Sequence, residues 1–320
     1  MSSSSGKRAV VAALGANLGI ALAKVIAWVF SGSTSMLAEG VHSLADSGNQ
    51  VLLLVGGKRS QRTPDREHPF GYARERYVYA FIVSIILFSI GGVFSLFEGV
   101  NKLAHPHTLD NGWLPIVVLL IALCLESFSL RTGLREARPL KSGLSLPQFI
   151  RRTKAPELPV VLLEDIAALT GLLCALLGVG LTLITGNAMW DALGTLAIGV
   201  LLVSVAVILG IETKSLLIGE GVSDTDLAAI TEALEADPVI ERIVHMKTLY
   251  LGPDELLIAA KIALPGECRL HEISQTINDA EARIRRAVPT ATIIYIEPDV
   301  WVNQADPNPP TDTIVIKGLD

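Results

Sequence analysis

Six apolar stretches dominate the sequence and limit the folds that it can adopt. Each is close to the roughly 20 residues that an α-helix needs to cross a lipid bilayer. The stretches are Ala9–Phe30, Ser35–Val55, Val78–Val100, Trp113–Leu130, Val160–Ile184 and Met189–Ile211. Hydrophobic residues make up 50% of the 320 residues, and the mean hydropathy is +0.49, which is too apolar for an ordinary soluble protein. The sequence therefore predicts an α-helical membrane protein with six transmembrane helices.

The distribution of basic residues predicts how these helices are oriented. Lys and Arg precede the first stretch and follow the second and the fourth, whereas the opposite side carries essentially only Lys102. Loops rich in Lys and Arg stay in the cytoplasm, so both termini are expected to be cytoplasmic. The first stretch is too long for a signal-peptide core and is expected to remain as a span. A plasma or inner membrane is the expected location.

The chain divides into two parts of opposite charge. Residues 1–213 carry 17 Lys and Arg against 14 Asp and Glu, whereas residues 214–320 carry 9 against 18. The pattern over residues 214–299 is helix, strand, strand, helix, strand, which predicts a small cytoplasmic α+β domain of ferredoxin-like αββαβ order. Its acidic balance argues against a nucleic-acid partner. Residues 300–320 are predicted to be a disordered tail.

The second apolar stretch carries polar residues that need a reason for lying in a membrane. At 100° per residue, their side chains share an arc of about 100° on the predicted helix. A charged side chain that faces lipid costs at least ~2.5 kcal/mol, so the arc is expected to face the interior of a helix bundle. We interpret it as half of a cation site, formed by Glu39, His42, Asp46, Asn49 and Gln50.

The fifth stretch begins with two adjacent acids, Glu164 and Asp165. Adjacent helix residues lie about 100° apart, so at most one of the two can point straight at the polar arc of the second stretch. The alternative is that both lie at a solvated helix start, where acids are favourable. Unpaired acids on two separate spans favour the interpretation as ligands.

Other charged residues in the apolar stretches are given structural roles. Lys24 and Glu98 are interpreted as anchors at a membrane interface, because long charged side chains can snorkel. Glu126 is expected to pair with Arg131 or to meet lipid headgroups. None of these residues is predicted to take part in function.

Three motifs are specific enough to compare with known families: STSMLAEGVHSLAD at Ser33–Asp46, HPFGY at His68–Tyr72 and GGVFSLFEG at Gly91–Gly99. They resemble the motifs of the cation diffusion facilitator family, and the likeness extends from Val10 to Pro298. Asn49-Gln50 and Leu163-Glu164-Asp165 look closest to the branch that includes the mitochondrial zinc transporter of animals.

The resemblance implies a proton-coupled exporter of divalent metal cations, usually a homodimer and not an enzyme, that holds the ion between spans two and five. His42 and Asp46 match the span-two ligands of the family. Asp165 matches its span-five aspartate, whereas Val161 replaces the histidine that many zinc-transporting members carry four residues earlier. Glu164 is the expected substitute. The implied metal ligands are therefore His42, Asp46, Glu164 and Asp165.

The ion implied by the resemblance is Zn²⁺, with H⁺ as the coupling ion and no prosthetic group. Mn²⁺, Co²⁺ or Fe²⁺ are further candidates, because a site rich in oxygen ligands admits them more readily. Tyr295 stands where zinc-sensing members have a histidine, so the C-terminal domain is expected to mediate dimer contact but to bind zinc weakly. His245 and His271 are lone histidines, which are usually not ligands. His68 is expected to serve a turn before Pro69.

Two other functions fit parts of the sequence. An intramembrane aspartyl protease would use Asp46 and Asp165 as a dyad that shares a proton. This function requires neither His42 nor the αββαβ domain, and the glycine-containing motifs of such proteases are absent. A non-transporting membrane scaffold would leave the polar arc unexplained.

Overall fold

The computed structural model describes residues 6–31, 34–105, 113–141 and 143–301. Within them, the side chains at positions 27, 28, 30, 31, 34–42, 45 and 113–115 are not described. The chain divides into two compact units, a helical unit that ends at Ile218 and a tail unit that begins at Gly219. The predicted boundary after residue 213 falls inside a helix, because the apolar run that ends in Ile218 continues the last helix of the helical unit.

The described part of the helical unit consists of helices, the shortest of which has seven residues. They are α1 (Lys7–Ser31), α2 (Thr34–Arg59), α3 (Glu75–Ile86), α4 (Phe94–Ala104), α5 (Trp113–Lys141), α6 (Leu146–Arg152), α7 (Glu157–Thr185) and α8 (Met189–Ile218). A π-helical segment, Leu87–Val93, makes α3 and α4 continuous. We call the end at which α1 begins the base of the unit, and the opposite end the top.

The helical membrane domain predicted from the sequence is confirmed. Among the described residues, five helical stretches are long and apolar enough to cross a membrane, namely those of α1, α3–α4, α5, α7 and α8. The helix α2 adds 26 residues at the position of the second predicted span. Many of its side chains lie outside the described set, so the count of six spans stays a prediction.

Small residues allow α4 and α8 to pack closely. A Cβ atom on Gly99 of α4 would lie 2.7 Å from the side chain of Leu196. A Cβ atom on Gly199 of α8 would lie 2.8 Å from the side chain of Leu96. Side chains at these positions would force the two helices apart, as expected for helices that associate in lipid through small residues.

The base of the helical unit is closed by apolar packing and by one buried ion pair. Val161, Leu162 and Leu209 belong to a buried apolar cluster to which α1, α2, α3, α5, α7 and α8 contribute. Arg76 at the start of α3 donates two hydrogen bonds to Glu157 at the start of α7, and the Nη2–Oε2 distance is 2.8 Å. Both side chains are buried, so the pair ties α3 to α7.

The tail unit combines a three-stranded sheet with two helices. Its elements are α9 (Asp224–Glu235), β1 (Arg242–Gly252), β2 (Glu255–Ala263), α10 (Leu270–Ala287) and β3 (Ala291–Asp299). β1 and β2 form an antiparallel hairpin, and β3 pairs with β2 in parallel. Alternate residues of β2 pack with both helices in one core, so both helices cover the same face of the sheet. The core residues of β2 are Leu256, Ile258, Ala260 and Ile262.

The start of the predicted disordered tail makes defined contacts. The guanidinium carbon of Arg242 lies 4.1 Å from the ring centre of Trp301, which is a cation–π distance. Residues 302–320 lie outside the described residues.

Candidate ion site

A cavity of about 260 Å³ lies inside the helical unit. Side chains of α1, α2, α4, α5, α7 and α8 form its wall, and most of them are apolar. At its top end, the Nζ atom of Lys102 lies 3.0 Å from Oδ2 of Asp191 and 3.2 Å from Oγ1 of Thr195. The cavity therefore reaches from the middle of the bundle toward the top. The charged residues in its wall are Lys24, Asp46, Lys102, Glu126, Glu164 and Asp191.

The described part of the polar arc on α2 faces the interior, as predicted. Asp46 lines the cavity, and Asn49 and Gln50 are buried, with no exposed surface on Gln50. The side chains of Glu39 and His42 lie outside the described residues. The predicted imidazole ligand is therefore placed only by its backbone in α2.

The two adjacent acids of α7 contact different neighbouring helices. Gln50 of α2 donates a hydrogen bond from Nε2 to Oε2 of Glu164 at 2.5 Å. Ser129 of α5 donates one from Oγ to Oδ2 of Asp165 at 2.8 Å. The exposed fractions are 8% for Glu164 and 2% for Asp165, so the alternative of a solvated helix start is wrong. Glu164 lines the cavity, whereas Asp165 is not in its wall.

Four carboxyl groups form one electrostatic cluster between α2, α5 and α7. The groups of Asp46, Glu126, Glu164 and Asp165 are close enough to influence one another. Among the described side chains, however, no three His, Cys, Asp or Glu residues converge closely enough to hold a metal ion. The structure thus brings three of the four predicted ligands into one region without assembling them into a coordination shell.

Three buried oxygen atoms beside this cluster have no hydrogen-bond partner among the described residues. They are Oδ1 of Asn49, Oε1 of Gln50 and Oε1 of Glu164. A buried polar atom without a partner is costly, and a bound cation or proton would relieve that cost at a carboxylate oxygen. An oxygen-rich set of this kind is suited to a divalent cation.

Two charged residues that the sequence assigned to the membrane interface lie in the interior instead. Lys24 is 8% exposed and donates from Nζ to Oγ of Ser43 at 2.9 Å, so it does not snorkel. Glu126 is 5% exposed and lines the cavity, whereas Arg131 is exposed, so the expected pairing is wrong. The sequence signal for the interior position of Glu126 is its spacing from Ser129, which places two polar side chains on one face of an apolar helix.

The connection between α2 and α3 forms a compact turn. The backbone N–H groups of Glu67 and His68 donate to Oδ1 of Asp65, at 3.0 and 2.8 Å. The hydroxyl of Tyr72 donates to Oδ2 at 2.5 Å, and this hydrogen bond is the main cause that lowers the pKa of Asp65. The carbonyl of His68 accepts a hydrogen bond from the N–H of Gly71 at 2.9 Å. His68 therefore lies in a turn, as predicted.

His245 lines a pocket of the tail unit together with Glu281, Tyr295 and Glu297. His271 lies on the surface of α10, with Nε2 at 4.0 Å from Oε1 of Glu272. The side chain of Tyr295 is 58% exposed on β3. No set of three metal-binding side chains is found in the part of the tail unit that the structure describes.

The helices, the acid-lined cavity and the small α+β unit together define a multi-pass membrane protein with an interior suited to cations. Two family models match the chain: the cation efflux transmembrane domain over residues 10–218, and the cytoplasmic domain of cation efflux proteins over residues 222–299. The chain belongs to the cation efflux family, also called cation diffusion facilitators, whose members are transporters and not enzymes. The protease alternative is thereby removed.

Several relatives agree with this assignment. The chain is 36% identical over 245 residues to the mitochondrial proton-coupled zinc antiporter SLC30A9 of Xenopus laevis, and 34% identical over 245 residues to that of Homo sapiens. These alignments cover 76% of this chain but only 44% and 43% of the relatives. The chain thus spans less than half the length of these relatives. The cation-efflux pump FieF of Klebsiella pneumoniae is 26% identical over 309 residues, which cover 93% of this chain and 94% of that pump.

Proposed function

We propose that this protein exports a divalent metal cation, with Zn²⁺ as the first candidate, and holds the ion between α2 and α7. The observation that carries this proposal is Oε1 of Glu164, a buried carboxylate oxygen without a partner among the described residues, on a side chain that lines the same cavity as Asp46. The proposed ligands are His42, Asp46, Glu164 and Asp165. The name of the vertebrate relatives, a zinc antiporter, supports the choice of metal.

Ion binding requires two carboxylates to change partners. Gln50 occupies one oxygen of Glu164, and Ser129 occupies one oxygen of Asp165. Zn²⁺ binds carboxylate oxygens at about 2.0–2.2 Å and prefers four ligands, so the acids must move toward a common centre. Gln50 and Ser129 would then hold the two carboxylates in place when the ion leaves.

Exchange of the ion for protons follows from the chemistry of these ligands. Metal ligands must be deprotonated, so the site releases protons when it fills and takes them up when it empties. Exporting two positive charges against an inside-negative potential costs ~4.6 kcal/mol per 100 mV, and two protons that return cancel this electrical cost. Histidine changes charge near pH 6.5, so His42 is the proposed proton carrier.

The remaining parts of the proposal concern location and assembly. We expect both termini in the cytoplasm, a plasma or inner membrane as the location, lipid around the helical unit, and a homodimer with contact through the tail unit. Tyr295 in place of a histidine argues for weak zinc binding by that unit. Calorimetry on residues 214–320 tests this point, and stoichiometric submicromolar zinc binding would contradict it.

Transport is tested with purified protein in liposomes that contain a metal-sensitive dye. Uptake of Zn²⁺, Mn²⁺, Co²⁺ and Fe²⁺ is measured with and without an imposed pH gradient. We expect uphill uptake to need the gradient, and the His42→Ala variant to show a flatter pH dependence while it retains some binding through the carboxylates. Uphill uptake that persists after the gradient is collapsed would contradict proton coupling, and no uptake of any of these ions would contradict the transport function.

A further inference from the structure

Glu126 lies too deep in the helical unit to serve the role of an interface anchor. Its side chain is 5% exposed and lies in the wall of the cavity inside the bundle. It lies about one helical turn closer to the top than Ser129, which contacts Asp165.

The carboxylate of Glu126 lacks the support that the neighbouring acids have. Glu164 and Asp165 each accept a hydrogen bond from a side chain of another helix. Glu126 makes no hydrogen bond or ion pair with any residue that the structure describes, although it is 5% exposed. A buried carboxylate without such a partner needs a proton or a cation.

The charge around Glu126 favours a cation. It interacts electrostatically with Asp46 and Asp165 and with the ammonium group of Lys24. That ammonium group donates to Ser43, and one positive charge balances at most one of the four carboxyl groups in the cluster. Because the acidic groups outnumber the ammonium group, a divalent cation beside Glu126 would balance the remaining negative charge.

We propose that Glu126 is a further ligand of the transported divalent cation and forms, together with Asp46, a second position for the ion in the cavity. This inference rests on the proposed function. The second position lies one helical turn along α5 from Ser129, which holds Asp165, and therefore closer to the top. An ion that leaves Glu164 and Asp165 reaches Glu126 next and is not released into an apolar cavity.

The first test measures the affinity of the purified full-length protein for Zn²⁺ by calorimetry. Glu126→Gln keeps the shape of the side chain and removes its charge. Loss of a side chain that supports a metal site lowers metal affinity by roughly 10–100-fold, and we expect a loss of at least about tenfold for this direct ligand. Glu98→Gln is the matched control, because Glu98 also lies in an apolar helix but is not in the cavity wall.

A second variant tests whether the side chain at position 126 contacts the ion. Glu126→His replaces an oxygen ligand by a nitrogen ligand, which favours Zn²⁺ over Mn²⁺. We expect competition experiments to show a shift of the metal ranking toward Zn²⁺ in Glu126→His, but not in Glu126→Gln or in the Glu98→Gln control. A residue with a purely structural role would leave the ranking unchanged.

The outcomes separate this inference from the proposed function. If the wild type binds and transports Zn²⁺ while either Glu126 variant retains wild-type affinity and ranking, the inference is overturned and the transport function stands. If the wild type binds no divalent cation, both are overturned. Loss of affinity in Glu126→Gln with an unchanged melting temperature of the ion-free protein supports the inference, because the effect then lies in the site and not in the fold.

Discussion

The helical unit and the tail unit bury different kinds of side chain. The tail unit has an apolar core, and Thr276 is the buried polar residue among its described residues. The interior of the helical unit contains acids, amides, hydroxyl groups and a lysine. All the buried polar atoms without partners that the described residues contain, such as those of Asn49 and Glu164, belong to this unit.

The difference indicates what each unit is built to do. A core without unsatisfied polar groups maximises stability, and the tail unit follows this rule. Polar atoms kept in the interior of a membrane bundle are expensive and are retained where they meet an ion or a proton. The oxygens of Asn49, Gln50 and Glu164 that have no partner among the described residues lie beside the acid cluster, whereas the base combines apolar packing with the buried pair of Arg76 and Glu157.

The largest effect is expected when an acid of the cluster in the helical unit is removed. Asp46→Ala and Asp165→Ala should each lower Zn²⁺ transport by at least about 100-fold, because they remove direct ligands. The protein should remain folded, since removing one of several buried acids relieves repulsion. Transport in liposomes and the melting temperature in detergent measure the two effects. Full transport by either variant at normal reconstitution would contradict the site assignment.

The next largest effect is expected when one partner of the ion pair at the base of the helical unit is removed. Arg76→Ala leaves Glu157 buried without its partner, which typically costs 3–5 kcal/mol. The double variant Arg76→Met, Glu157→Leu removes both charges and should be close to wild-type stability. Chemical denaturation of both variants in detergent gives the comparison. Equal destabilisation in the two would mean that packing, and not the unpaired charge, determines the loss.

The sequence predicted the elements of both units well, because each has a strong local pattern. The apolar stretches became helices, and the two consecutive strands predicted for the tail unit form a hairpin that turns at Gly252, Pro253 and Asp254. The helix α9 begins at a side-chain cap, since the N–H of Asp226 donates to Oγ of Ser223 at 3.2 Å. The short helix α6 was missed, although Ser145 and Gln148 form a capping box there.

The candidate site could be predicted only in part. Local spacing placed Asp46, Glu164 and Asp165 on helices, and the motifs identified the family. The spacing of Glu126 and Ser129 places both on one face of α5, but which neighbouring helices that face meets depends on how the helices pack against one another, which periodicity does not determine. The hydrogen bond from Ser129 to Asp165 joins residues of α5 and α7 and has no local signal.

A smaller effect is expected from a substitution at Val161 of α7, where the apolar cluster meets the acid cluster. Val161 is fully buried in the apolar cluster at the base, one helical turn before Asp165. Val161→His adds a nitrogen ligand and should shift the metal preference toward Zn²⁺ over Mn²⁺, while overpacking costs about 1–3 kcal/mol of stability. Competition transport and thermal denaturation measure both. An unchanged metal ranking would mean that this position does not reach the ion.

The smallest effect concerns the response of the tail unit to pH. Nζ of Lys261 on β2 lies 2.9 Å from Oδ2 of Asp299 on β3. The hydrogen bond from Lys261 lowers the pKa of Asp299, and the same bond, followed by one to Glu297, raises the pKa of Lys261. These groups lie at the surface, so solvent screening limits their contribution to at most about 0.5 kcal/mol.

The signs of these shifts define the pH range in which the pair stabilises the tail unit. A lowered aspartate pKa stabilises the fold above the unfolded value of about 3.9, and this stability is lost as the pH falls through the lowered pKa. A raised lysine pKa stabilises the fold below about 10.4, and this stability is lost as the pH rises through the raised pKa. Between pH 5 and 9 the contribution should be constant, whereas metal binding by the helical unit should vary with pH in that range.

Urea denaturation of wild type and Asp299→Asn at pH 3, 7 and 9 measures the contribution of this ion pair to the free energy of unfolding. We expect a small difference between the two proteins at pH 7 and 9 and a smaller one at pH 3. A difference that grows as the pH falls would contradict the assigned ion pair.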